Sequence, residues 1–138
     1  MIANRILLAA LLFACVGAGA AQFTVAPGGT VTMPGGSLAL GCADFAVQGT
    51  MSLGASQVTG AGTVSIPGGG SLDAGSSSIT VGGNWANAGT FAAGTGTVTF
   101  ADGCTSAPAA FTGTTAFRNL SLTSASGRGF ILPVGALV

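Results

Sequence analysis

Ile79–Phe100 reads ITVGGNWANAGTFAAGTGTVTF, and this stretch decides the fold class. Ile79 and Val81 flank Thr80, Gly82-Gly83 interrupts, Trp85 and Phe91 stand on either side of another glycine, and Thr97-Val98-Thr99-Phe100 alternates again after Gly96. Alternation with period two puts the apolar side chains on one face of a pleated strand and the threonines on the other, where β-branched groups pack well. Each run is short and ends at glycine, where the chain can take positive φ and a neighbouring backbone can approach without meeting a Cβ. From Phe23 onward no stretch repeats its apolar residues at helical spacing. The stretch therefore predicts thin strands joined by tight corners.

The same pattern extends outward. Thr30-Val31-Thr32-Met33 precedes Pro34-Gly35-Gly36, and Ser37-Leu38-Ala39-Leu40 precedes Gly41. Phe45 and Val47 alternate, then Met51 and Leu53, then Val64 and Ile66 before Pro67-Gly68-Gly69-Gly70. Ser106–Ala110 reads as a Pro-Ala-rich interruption, after which Phe117, Leu120 and Leu122 restore the alternation within Thr115–Thr123. Phe130–Val138 begins another strand or two. The expected architecture is all-β, a right-handed parallel β-helix or β-solenoid with glycine-rich turns. A β-sandwich is the alternative, but it predicts strands of about five or more residues with turns every 8 to 12 or so, and many intervals here are shorter. At roughly 20 to 25 residues per coil the chain past the leader builds about five coils and a rod of about 25 Å. No strict period is visible, and the equal spacing of Asp44, Asp73 and Asp102 reads as chance because their flanks do not align.

Composition excludes several functions. Only 4% of the 138 residues are charged, and Lys, Glu and His are absent. After the leader only Arg118 and Arg128 remain as cations, too few to displace counterions from nucleic acid or to hold anionic lipid. Zero formal charge with a mean hydropathy of +0.74 gives weak self-repulsion, and hence a tendency to associate with further copies or repeats of the same chain.

Met1–Ala21 reads as a signal peptide helix: Arg5 is the basic n-region, Ile6–Val16 the apolar stretch, and Ala18-Gly19-Ala20 or Gly19-Ala20-Ala21 the cleavage site. The apolar run is shorter than the roughly 20 residues a spanning helix needs, so no membrane span is expected after processing. Leu12-Phe13-Ala14-Cys15 also resembles a lipobox that would acylate Cys15, but Phe13 is unusual there and simple secretion is favoured. Removing the leader removes Cys15 and leaves Cys42 and Cys104, whose expected state in an oxidising compartment is a disulfide. A metal site would lack any histidine. Residues 22–138 then form one β-solenoid domain. Its apolar last strand would be an open pairing edge, so the expectation is a longer natural protein or a covering partner.

Ile79–Phe91, Gly96–Phe100 and Thr115-Ala116-Phe117-Arg118-Asn119-Leu120 together resemble a recurrent module of bacterial secreted and surface proteins, with a GNW-x-N-x-GTF segment, a GTVTF strand and a following strand that ends in Asn-Leu. The resemblance covers about Ile79 to Leu132. Such modules build large, repetitive, adhesin-like proteins similar to filamentous haemagglutinins. What the resemblance implies is an extracellular stalk or surface array.

The chemistry-bearing residues are few. A Ser or Cys nucleophile needs a base, and neither His nor Lys is present. Asp44, Asp73 and Asp102 could serve a polysaccharide-cleaving β-helix only if they converged; isolated Asp beside Gly or Ala more often closes a turn. Gly68-Gly69-Gly70-Ser71-Leu72-Asp73 resembles one degenerate copy of a calcium-binding nonapeptide, with Ser where Gly belongs, and no metal or other cofactor is expected. Trp85 with Phe91 could offer a carbohydrate-stacking platform if exposed, but a lone Trp of this kind is more often a core residue. The expected function is a non-catalytic structural or adhesive segment, secreted or at the bacterial cell surface. The alternatives are a carbohydrate- or matrix-binding module that takes surface glycans, and a fragment of a polysaccharide-degrading enzyme.

Overall fold

A computed structural model describes residues 21–132. The leader read over Met1–Ala21, with Cys15, lies outside the described residues except for Ala21, as does the end of the chain from Pro133. The first coil holds β1 (Gln22–Val25), β2 (Thr30–Thr32) and β3 (Ser37–Ala39), and the second holds β4 (Asp44–Val47), β5 (Thr50–Ser52) and β6 (Gln57–Ala61). The third follows with β7 (Val64–Ile66), β8 (Ser71–Asp73) and β9 (Ser78–Val81), and the fourth with β10 (Trp85–Asn87), β11 (Thr90–Ala92) and β12 (Thr97–Phe100). The fifth has β13 (Ala109–Gly113) and β14 (Asn119–Leu122), and β15 (Phe130–Ile131) starts another turn.

Every pairing is parallel and joins a strand to its counterpart one coil away, which gives three sheets of six, four and five strands. The first face stacks β1-β4-β7-β10-β13-β15, the second β2-β5-β8-β11 and the third β3-β6-β9-β12-β14. This is a parallel β-solenoid of three faces, and the sandwich alternative fails because no strand pairs with its sequence neighbour.

The period that sequence inspection did not find is present in the register. Thr30 aligns with Thr50, Thr50 with Ser71 and Ser71 with Thr90, offsets of 20, 21 and 19 residues. The corner between the second and third faces repeats with it. Gly54, Gly75 and Gly94 have φ of 53°, 55° and 54°, and each corner closes with the same hydrogen bond, Ser56 N–H to Leu53 O, Ser77 N–H to Ala74 O and Gly96 N–H to Ala93 O. A Cβ on Gly75 would stand 2.6 Å from Gly54 O, so stacked corners need glycine on top of glycine.

Two strands escaped the alternation rule. The register of β6 slips between Val58 and Ala61, where Gly60 takes a φ of 66°, a bulge that breaks period two. β13 begins inside the stretch read as an interruption, at Ala109.

The inward residues fill one continuous core. Coils two and three contribute aliphatic side chains with no exposure, such as Val47, Leu53, Val58, Ile66, Leu72 and Ile79. Coils four and five change to aromatics: Trp85, Phe91, Phe100, Phe111 and Phe117 pack edge to face or tilted, with Trp85 5.0 Å from Phe91 and 5.2 Å from Phe117. Such contacts add to plain area burial.

Candidate functional site

Two features of the outer surface stand apart from ordinary coil: columns of hydroxyl side chains on two faces, and a reinforced edge between the third and first faces. The columns follow from alternation plus register. On the second face Thr30, Thr50, Ser71 and Thr90 lie one above another, and Thr32, Ser52 and Asp73 form the neighbouring column. On the third face Gln57, Ser78, Thr97 and Asn119 align, beside Thr80, Thr99 and Ser121. Successive rungs in such a sheet lie about 4.8 Å apart and outward residues within a strand about 6.6 Å apart. These faces are therefore nearly uncharged grids of donors and acceptors.

The edge carries the disulfide. Cys42 and Cys104 are bonded, with Cα atoms 5.3 Å apart across a sequence separation of 62. Beside them Arg128 is 5% exposed. Its Nε donates to Ala107 O at 2.7 Å, its Nη1 to Ala101 O at 3.3 Å and its Nη2 to Gly83 O at 3.0 Å. Among the described residues the guanidinium thus meets three carbonyls and no carboxylate, and its fixed fork of donors suits that arrangement. Nothing in the sequence marks Arg128 for this place, because a cation held by main-chain oxygens leaves no periodic signal.

The three aspartates do not converge. A spacing of about one and a half coils puts Asp44 at the start of the first face, Asp73 at the end of the second and Asp102 after the third. Asp44 Oδ1 accepts from Thr63 N–H at 2.8 Å, Asp73 Oδ1 from Gly75 N–H at 3.0 Å and Asp102 Oδ2 from Ser126 N–H at 2.7 Å. Each carboxylate is thus engaged by the main chain of a corner. The Ser126 amide, the largest influence, holds the Asp102 carboxyl below its ordinary value of 3.8, with burial opposing and Ser124 assisting. Among the described residues no three His, Cys, Asp or Glu side chains gather where a metal could sit. Asp73 of the calcium-like stretch is used to close its own turn.

Trp85 is not a platform: it is 1% exposed, so no sugar ring can stack on it. Its Nε1 donates to Thr115 Oγ1 at 2.9 Å. Asn87, 4% exposed, donates through Nδ2 to Thr114 O and Thr115 Oγ1 and accepts from Gly89 N–H through Oδ1. Asn84 Oδ1 accepts from Ala110 N–H, and Asn119 Nδ2 donates to Gly96 O. The residues that carry the module resemblance thus join coil four to coil five, replacing a strand that the second face lacks between Thr114 and Phe117. No protein-family model, curated protein or solved structure matches this chain.

Proposed function

We propose that this chain is a structural and adhesive segment of a secreted or cell-surface bacterial protein, acting by mechanical extension and by display of its uncharged faces, without catalysis and without a cofactor. The observation that carries this reading is the in-register stacking itself: polar side chains bind the main chain at corners and repeat in outward columns. The leader pattern and the adhesin-like module support export, and the parallel coils support continuation by further repeats of the same protein or self-association along the rod. Cell fractionation tests it. The protein is expected in the medium or on the cell surface, and a wholly cytoplasmic location would end the proposal.

A second reading, a glycan- or matrix-binding module, is favoured by the hydroxyl columns and no longer by Trp85. Glycan-array binding that is lost when Thr50 and Ser71 are both replaced by Ala, with thermal stability retained, would support it. Binding that survives that pair would turn attention to the third face.

A further inference from the structure

The edge between the third and first faces carries an overhanging arm. Coil two turns this corner through Gly62 and Thr63 and coil three through Gly82, Gly83 and Asn84, whereas coil four takes Ala101 to Pro108. The arm turns at Gly103, φ 134°, and brings Cys104 back to Cys42, which stands between coils one and two. The bond therefore passes over the corners of two intervening turns. Glycines line the path: a Cβ at Gly82 would meet Cys104 Sγ at 2.5 Å, and one at Gly62 would meet Cys42 O and Asp44 Oδ1, each at 2.6 Å. The two roots of the arm are fastened without the bond, by Asp102 to Ser126 N–H and by Arg128 to Ala101 O and Ala107 O. Cys42 is exposed, and among the described residues it is the one non-glycine with positive φ, 71°, a backbone conformation that a Cβ disfavours.

We propose that Cys42–Cys104 is a releasable strap. A dithiol reductant opens it, the tip of the arm lifts, the glycine corners of coils two and three are uncovered, and the stack stays folded. The thiolate of the reductant attacks Sγ of the exposed Cys42, and the S–S bond breaks with its electron pair leaving on Cys104, which takes a proton from water. The second thiol of the reductant then displaces Cys42, so that two protein thiols form and the reductant closes to its own disulfide. The coils do not depend on the strap because each is bonded to its neighbour directly: under the arm Gly62 N–H donates to Ala43 O, Gly82 N–H to Ala61 O and Gly83 N–H to Gly62 O. In a solenoid the neighbour interfaces carry the stability, and a link between distant coils is added to them. The strap stands whether or not the stalk reading above does.

The test is residue-resolved hydrogen exchange on the oxidised chain under native conditions, before and after dithiothreitol. Gly62, Gly82 and Gly83 amides are expected to accelerate on reduction at least about ten-fold more than Thr50 and Ser71, bonded to Gly29 O and Gly49 O at another corner, whose change reads only the loss of global stability. The Cys42→Ser/Cys104→Ser double variant should show the reduced pattern and ignore the reductant. Equal acceleration at both corners, loss of the β circular dichroism on reduction, or no change at all would each overturn the proposal. If the double variant does not fold, the reduced natural chain still decides.

Discussion

At the scale of single residues, glycine content matters less than glycine position. Gly75 combines a φ of 55° with Gly54 O at 2.6 Å from where a Cβ would sit, whereas nothing lies within 4 Å of a Cβ on Gly68. Gly75→Ala is therefore expected to destabilise by about 1–3 kcal/mol, while Gly68→Ala stays within about 1 kcal/mol of the natural chain, on either side of zero. Urea titrations of the two variants check this; equal effects would mean that the stacked corner is not the constraint. Trp85 supplies a second case. Trp85→Ala should cost about 3–5 kcal/mol through the cavity it leaves, and Trp85→Phe a smaller part, because some ring contacts survive while the bond to Thr115 Oγ1 and part of the buried ring volume are lost. Trp85 fluorescence should be blue-shifted in the folded protein and shift red on unfolding, as burial at 1% exposure requires. Emission typical of water in the folded state would contradict the core placement.

At the scale of elements, the edge around Asp102 and Arg128 replaces regular strand pairing with side-chain bonds to the main chain. Asp102 has its folded pKa lowered, chiefly by the Ser126 amide. A lowered folded value means that the unfolded chain binds more protons near and below pH 3.8. The contribution of Asp102 is then complete above its unfolded value and declines as pH falls through the folded one. Thermal melts between pH 5 and pH 2 or so should fall for the natural chain and fall less for Asp102→Asn; parallel curves would remove the argument. Much of this level was legible in the sequence. The strands around Val31, Leu38, Phe45, Ile79 and Val98 announced themselves by alternation, and the pairing of Cys42 with Cys104 followed from their being the two cysteines beyond Ala21. Three things were hidden for physical reasons. Bulged Gly60 breaks the period of β6. The shared corner at Gly54, Gly75 and Gly94 is a backbone conformation and not a side-chain pattern. The long arm adds several residues between Trp85 and its partner Phe111, so the repeat loses phase there. Trp85 was visible as a singular residue, but its burial depends on Phe117 and Thr115, which follow its register partner Phe111 in the next coil.

For the molecule as a whole, a stack of coils coupled only to neighbours gains little protection against loss of its ends, since each coil can detach at the cost of one interface. A covalent link across 62 residues changes the other side of the equilibrium, by closing a loop in the unfolded chain between Cys42 and Cys104. In the chain-entropy account that contribution is about 4 kcal/mol, set against a total of roughly 5–15 kcal/mol for ordinary domains. The reduced chain should therefore remain folded in buffer and unfold at a lower guanidinium concentration, by about that free energy. The shift should be the same by far-UV circular dichroism, which reports every coil, and by Trp85 fluorescence, which reports coil four, because restricting the unfolded chain acts on all coils together. A much larger shift by fluorescence than by circular dichroism would instead place the effect of the cross-link in the packing of coil four. The stability would then come from the folded edge and not from the unfolded ensemble.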